Sequence, residues 1–495
     1  MKYHPEGMIV WDPWFIEKDE EIHTFHLQRL MPGSARTGEE AGSMGHAVSR
    51  DGGLHWEECP PVLPPLGEAY PMDCFQKYTG CVVEKDGLFY MFYTMQNLRH
   101  QQQIGLATSP DLYDWTVYEG NPVISPDESL LIGFGQCDEI WGGTVDCRDL
   151  MVIEQDGVYY GYFAASAVID GRPQGVAVCA RSADLYHWED QRIVWTSRFG
   201  TCAEVPDVYR FGSKLYMTRL AGEYSGGRGI FSDENVTFGG LYAVADTPYG
   251  PFTEGADNTF VGGLSGYFGY TWRHVRYQGR DLMMHIEREY HTDVLSLPKV
   301  VGLTEDGRLR AFYNEDLNRL NTEVLLDVQH PAEFTELPPS AFAWPLVLGE
   351  WRREDGRYIG SCPSWQTGML GVHAHNIHFQ AQLDLSACRA AGFALYSRDD
   401  SGGLRRYVVL AEPEKNRVMI TEPFDFPRHA LREYRFAEPK CHLRVMFVDE
   451  GIEVYVNNEF LLATKLPNLG QTHAGLFVDR GKAVIDNLEI YRVED

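Results

Sequence analysis

The sequence predicts an all-β fold, a five-bladed β-propeller followed by a C-terminal β-sandwich. Two interleaved repeats carry the propeller half of that expectation. Five segments share one hairpin plan: an apolar run, a polar or glycine turn about seven residues on, then an aromatic-rich run. They begin at Asp12 (DPWFIEKDEEIHTFHLQ), Thr79 (TGCVVEKDGLFYMFYT), Asp149 (DLMVIEQDGVYYGYFAAS), Glu204 (EVPDVYRFGSKLYMTRL) and Trp272 (WRHVRYQGRDLMMHIE). In the second repeat, SRDGGLHW, SPDLYDW and SADLYHW end at Trp56, Trp115 and Trp188, with a weaker ADTPYGPF ending at Phe252. The Asp of such a turn bonds nearby backbone amides, while the Leu and Trp fill the gap beneath. One supersecondary unit recurring at such intervals marks a radial repeat of four-stranded blades.

Past the fifth hairpin the pattern changes. EDLNRLNTEVLL, Glu315 to Leu326, spaces Leu317, Leu320, Val324 and Leu325 as a helix would, and a Pro-rich stretch, HPAEFTELPPSAFAWP, follows it. Alternating strands then return without helices between them, as in a sandwich, with Tyr455-Val456-Asn457-Asn458 as a hairpin corner. The expected organisation is a propeller over 1–312, a linker with a short helix over 313–345 and a sandwich over 346–495.

Charge and composition exclude several functions. A net charge of −28 without any basic block argues against nucleic acid and anionic membranes, and suggests a neutral substrate. The start, MKYHPEGMIVWDPW, lacks the pattern of a signal peptide, and no apolar run has the length of a membrane span. The ten cysteines include no C-x-x-C pair and read as reduced, buried thiols of a cytoplasmic protein. No cofactor and no metal site is indicated: His23 and His26 share a strand face but lack a third ligand, and no D-x-D-x-D spacing occurs. Association between copies through the sandwich is an open expectation.

Chemistry points to the acids that open three of the hairpins. In a radial repeat, equivalent positions converge on the axis, so Asp12, Asp149 and Glu204 meet at one mouth. Turn or capping carboxylates are one reading of them. Paired carboxylates for glycosidic cleavage are another, with one ionised beneath the anomeric carbon and one protonated by its surroundings. The register is uneven. The turn residue lies seven positions after Asp12, Thr79, Asp149 and Trp272, but eight after Glu204. Alternation along a strand would turn Glu204 aside unless a bulge near Pro206 corrects it. Asp207, further into the same strand, reads as a structural acid, and Tyr270, Trp272 and His274 as residues of the mouth.

At these residues the chain resembles glycoside hydrolase family 32, the invertase, inulinase and levanase group. Val10-Trp11-Asp12-Pro13-Trp14 stands where the family carries its nucleophile in W-x-N-D-P-N-G. HLQRLMPG resembles the segment with the sugar-binding Gln, here Gln28, and MGHAVSRDGGLHWEECPPVLPP resembles the W-G-H-A stretch. Tyr78-Thr79-Gly80 occupies the place of F-S-G. CRDLMV resembles the R-D-P motif and AEVPDVYRF the E-C-P-D-L motif. The resemblance implies Asp12 as nucleophile, Asp149 with Arg148 as transition-state stabilisers and Glu204 as acid/base. It implies sugar contacts for Gln28, Tyr78 and Thr79, and retaining cleavage of terminal β-fructosyl units, while Trp11 and Trp14 read either as sugar-stacking platforms or as wedge-shaped packing, and Trp272 as a substrate contact at the mouth. Trp11 and Trp14 replace both Asn residues of the family motif, which remodels the pocket beside the nucleophile. An inverting furanosidase or xylosidase, a fructosyl transferase and a non-catalytic sugar-binding protein are the alternatives.

Overall fold

The structure is a computed structural model that describes residues 2–65, 73, 76–137, 144–197, 203–222, 238–255, 257–263, 265–266, 269–287, 293–335, 350–398, 404–421, 428–466 and 472–494. Residues 223–229 of the Gly-rich segment GEYSGGRG and most of the Pro-rich stretch fall outside the described residues. Two compact units form: Tyr3–Phe260 with Gly269–Arg310, and Ala311–Asp495 with Met1–Lys2 and Val261–Phe268.

The first unit is the five-bladed propeller. Blade 1 is Met8–Lys18, Glu21–Leu30, Met44–Ser49 and Glu57–Val62. Blade 2 is Gln76–Lys85, Leu88–Gln96, Gln102–Ser109 and Thr116–Val117. Blade 3 is Cys147–Gln155, Val158–Ile169, Arg172–Ser182 and Glu189–Thr196. Blade 4 opens with Asp207–Phe211, Lys214–Gly222 and Phe238–Ala245, and blade 5 with Tyr270–Tyr277, Arg280–Glu287 and Lys299–Leu303. The five innermost strands touch in sequence and the fifth closes on the first. Apolar clusters fill the wedges between blades, for example Trp14, Phe25, Met91 and Tyr93 between the first and second.

The hairpin repeat is a tight turn with left-handed residues at its corner: Asp19 and Glu20, Asp86 and Gly87, Asp156 and Gly157, Gln278 and Gly279. Such turns match the twist of paired strands. The second repeat works as its sequence implies. In blade 2 the Ser109 hydroxyl accepts the Leu112 amide (2.8 Å), Asp111 accepts the amides of Tyr113 and Asp114 (2.9 Å each), and Trp115 donates to the Leu112 carbonyl (2.9 Å). Blade 3 repeats this at Ser182, Asp184, Leu185 and Trp188. Leu112 and Leu185 are both fully buried.

The C-terminal unit is antiparallel throughout. Its two longest strands, Ile377–Arg398 and Thr472–Val493, pair along most of their length. Ile377–Arg398 pairs with Lys440–Val448 over its first half and with Leu404–Glu412 over its second, with a register break between Asp384 and Ala387. Side chains from both halves, among them Phe379, Leu383, Phe393 and Leu395, face one core, which is the sandwich arrangement. Asn457 and Asn458, both left-handed, make the expected hairpin corner between Val456 and Glu459.

One expectation fails here. Glu315–Leu326 is not a single helix: Glu315–Leu320 forms a 3₁₀ turn that buries Leu317 and Leu320, and Asn321–Leu326 is a strand paired with the chain's last strand. The helical spacing comes from two buried leucines followed by an edge strand, and tertiary pairing overrides the local pattern.

Candidate active site

Blades 1, 2, 3 and 5 open on the same local device. The innermost strand carries a bulge at its first residues, so one residue leaves the ladder: the pairing breaks between Trp11 and Pro13, Tyr78 and Gly80, and Tyr270 and Trp272, and opposite Tyr162–Ala164 in blade 3. The bulged residues Asp12, Asp149 and Thr271 are left-handed, with φ of 44°, 65° and 38°. Non-glycine residues pay for that conformation, so its repetition at one end of the propeller marks a functional rim. In blade 2 the room for Thr79 comes from its neighbour, since a Cβ on Gly80 would lie 1.8 Å from the Phe92 carbonyl oxygen.

Blade 4 explains the uneven count. Its left-handed residue is Val205, φ 49°, which lies seven positions before Gly212. Val205 therefore holds the place of Asp12 and Asp149, and Glu204 precedes it. The turn at Val205 leaves Glu204 on the pocket wall rather than turned aside. Asp207 is fully buried and accepts both the backbone amide and the imidazole of His274 (3.0 Å each), the structural role expected of it. Burial works to raise its pKa, but His274 takes it below the usual carboxylate range.

Asp12, Asp149 and Glu204 line one pocket of about 490 Å³, together with Trp11, Tyr78, Thr79 and Arg148. Arg148 joins two of the acids: its Nε lies 3.4 Å from Asp149 Oδ2 and its Nη2 lies 3.4 Å from Glu204 Oε1. The guanidinium is held from behind by Asp146 (2.8 Å), whose other oxygen accepts the Ser166 hydroxyl (2.6 Å). Asp149 Oδ2 also accepts the Val205 amide (3.0 Å), so the left-handed corner of blade 4 orients the blade 3 acid.

A hydrogen-bond relay ties the first acid to this pair. The Asp149 amide donates to the Thr94 hydroxyl (3.0 Å), which donates to the Thr79 carbonyl (3.0 Å), and the Thr79 hydroxyl donates to Asp12 Oδ2. Burial, and then the nearby Asp149, push the Asp12 carboxyl up from 3.8 to about 6, against the hydroxyls of Thr79 and Thr271 and the charge of Arg273. Burial likewise raises Asp149, with Arg148 opposing it. Two buried carboxylates beside one cation form a site that holds developing positive charge.

Four sequence expectations need correction. Trp14 is 1% exposed and stacks on Phe25 (ring centroids 6.4 Å apart). It sits two residues along the strand, roughly 6–7 Å from the mouth, where side chains pack between blades. Trp272 is also 1% exposed and donates to the Thr218 hydroxyl (2.9 Å); its ring lies where a Cβ on Gly240 would be 2.1 Å away. The bulge at Thr271 makes Thr271 the axial residue, so its neighbour points into the wedge. Gln28 spends its amide on the Glu40 carbonyl (2.7 Å) and does not line the pocket. Of the two flanking tryptophans, only Trp11 lines the pocket, half-buried, with the Arg29 guanidinium 5.6 Å from its ring. His274 pairs with Asp207 and is not among the lining residues, whereas Tyr270 is.

Other lining residues were not singled out from sequence: Arg29, Gln96, His100, Gln102, Thr144, Asp146 and Asp293. Gln96 donates to the Tyr78 hydroxyl (3.3 Å), and Gln102 donates to Gln96 (2.9 Å) while accepting from Arg148 (3.3 Å). The only signal for Asp146 is its i, i+2 spacing from Arg148 at a strand entry, which puts both on one face. His23 and His26 are buried, and burial lowers both to about 4; His23 contacts His46 at 3.0 Å.

Residues 5–243 match the model described as "Glycosyl hydrolases family 32 N-terminal domain". Among solved structures, the fold is similar to a family 32 β-fructofuranosidase of Bombyx mori, with TM-score 0.70 and 16% identity over 100% of this chain and 93% of that one. It is similar to the exo-inulinase of Aspergillus awamori, with TM-score 0.67 and 15% identity over 100% and 98% of the two chains. The sucrose-6-phosphate hydrolase of Lactobacillus gasseri also has TM-score 0.67, with 13% identity over 100% and 92%. At these identities the structures speak for the fold, and the family model speaks for the propeller's ancestry. Residues 5–243 match the family 32 N-terminal domain, and the protein is a glycosidase.

Proposed function

We propose that the protein cleaves terminal furanosides, with β-fructosyl units as the substrate class, by a retaining double displacement. The observation that carries this reading is the placing of Asp12, Asp149 and Glu204 on one pocket, with Arg148 bridging the last two. Asp12 is the nucleophile: one oxygen is fixed by Thr79, and Oδ1 has no hydrogen-bond partner among the described residues, which leaves its lone pairs for the anomeric carbon. Glu204, the more exposed acid, protonates the leaving oxygen and then activates water. Asp149 accepts hydroxyls of the reacting ring as positive charge develops. An acceptor sugar in place of water turns the same intermediate to transfer. Sucrose, inulin- and levan-type oligosaccharides and aryl furanosides, assayed for released sugar, test the reading; it fails if none is cleaved.

The acidic limb of activity follows from Asp12. Its attacking form is the carboxylate, so kcat/KM falls as pH drops through about 6. Thr79→Val keeps the side-chain volume and removes the donor to Asp12. A hydrogen bond to a charged group contributes about 1.5–3 kcal/mol, so the limb is expected to move up by about one to two pH units. A pH–rate profile checks this, and an unmoved limb rules out the Thr79 contact as an influence on Asp12.

Trp11 is the platform on which a sugar stacks. Removing such a contact costs about 0.5–1.5 kcal/mol, so Trp11→Ala is expected to raise KM roughly 2- to 10-fold with stability unchanged. Trp14→Ala is expected to do the reverse in kind, costing about 3–5 kcal/mol of folding stability through the cavity it opens. Denaturant unfolding and steady-state kinetics on the two variants separate the roles.

A further inference from the structure

We propose that Arg273 is a positioning residue of the reaction: from the fifth blade, its guanidinium ties together the two backbone corners that present Asp149 and Glu204. This rests on the roles given to those acids above.

Arg273 is 2% exposed and lies two residues past the bulge at Thr271. Its Nη2 donates to the Asp149 carbonyl (3.0 Å), and its Nη1 donates to the Pro206 carbonyl. Both carbonyls belong to strained corners, one of left-handed Asp149 and the other just after left-handed Val205. A bulge turns peptide groups out of the ladder, and a buried carbonyl needs another donor. One planar fork serving two blades fixes their separation, which no pair of independent donors does. The next residue adds to the hold, because His274 bonds Asp207 of the same blade 4 strand.

The charge has a second consequence. Among the described residues no carboxylate forms an ion pair with Arg273, so its field is shared by the acids around the axis. Asp12 faces it from blade 1, Cys81 from blade 2, Asp149 with Arg148 from blade 3, Asp207 with Tyr209 from blade 4, and His274 from its own strand. Arg273 acts to lower Asp12 and Asp149, opposing the burial that raises both. A buried cation that pairs with none of them favours the ionised form of each without blocking its oxygens.

The test compares Arg273→Lys, which keeps the charge and loses the fork, with Arg273→Met, which loses both. In Arg273→Lys, kcat on a cleaved furanoside is expected to fall about 100-fold, the scale of a roughly 1 Å misplacement, with KM changed much less and the acidic limb in place. In Arg273→Met the limb is also expected to rise by about one pH unit. A measurement without turnover runs beside these: the ¹³C titration of the Asp12 carboxyl, assigned by its loss in Asp12→Asn, is expected to move up in Arg273→Met and to stay in Arg273→Lys. Should Arg273→Met not fold, Arg273→Lys decides alone. Wild-type kcat in Arg273→Lys, or a fall in kcat matched by a fall in thermal stability with an unmoved Asp12 titration in Arg273→Met, overturns the proposal. Failure of the wild-type protein to cleave any furanoside overturns the roles of the acids instead, and the carboxyl titration still reads Arg273.

Discussion

Asp12→Asn is expected to lower kcat on every cleaved furanoside by at least about 10⁴-fold, the scale on which single catalytic residues act, while leaving the propeller folded. The amide keeps the volume and an oxygen for Thr79 but cannot form the covalent bond to the sugar. The same change is expected to stabilise the fold. A carboxyl raised from 3.8 to about 6 by burial and by Asp149 is destabilised in its ionised form, an effect of roughly 3 kcal/mol. The sign follows from the raised value: the penalty is complete above about pH 6, shrinks as pH falls towards 4, and vanishes once the group is protonated in both folded and unfolded chains. Asp12→Asn therefore gains over the wild-type protein at neutral pH and matches it near pH 3. Denaturant unfolding at several pH values reads this directly. A variant that loses both activity and stability at neutral pH would assign Asp12 a structural task.

Glu204→Gln is expected to separate the two halves of the reaction. With a sugar as leaving group, loss of the general acid costs about 10²–10⁴-fold in kcat/KM. With a nitrophenyl furanoside, which needs no proton on departure, kcat/KM is expected to recover most of that loss. Turnover then stalls at the second step, because no base activates water. Azide needs no base, so adding it is expected to restore turnover and yield a furanosyl azide. The Arg148 contact (3.4 Å) is preserved in the variant, since the Gln oxygen can still accept it, so the change isolates the proton. Equal losses on sugar and aryl leaving groups would remove Glu204 from the acid/base role.

The legible part of the site was its register. Asp12 and Asp149 stand seven residues before a turn because a bulge and a two-residue corner bracket the innermost strand of their blades. The count of eight at Glu204 was equally informative: it marks a residue beside the left-handed position rather than on it, and Val205 fills the repeat position. Side-chain direction after the bulge was not legible. An extra residue reverses the alternation locally, so Trp272 reads as a mouth residue in sequence and packs against Thr218 in the fold. Trp14 was misplaced for a simpler reason, since flanking the acid in sequence says nothing of depth along the strand. Arg273 and Asp146 carried no motif at all; their roles arise from carbonyls and guanidinium groups supplied by other blades. The linker erred where two buried leucines imitated a helical stripe.

The central claim, that Asp12 forms a covalent furanosyl intermediate in this pocket, is tested most directly by trapping it with methanol. Methanol competes with water for the intermediate and yields a glycoside whose anomeric configuration is locked. The account predicts that NMR of the products from a β-fructofuranoside donor in aqueous methanol shows methyl β-fructofuranoside. A methyl α-fructofuranoside, or cleavage with inversion and no methyl glycoside, would contradict it.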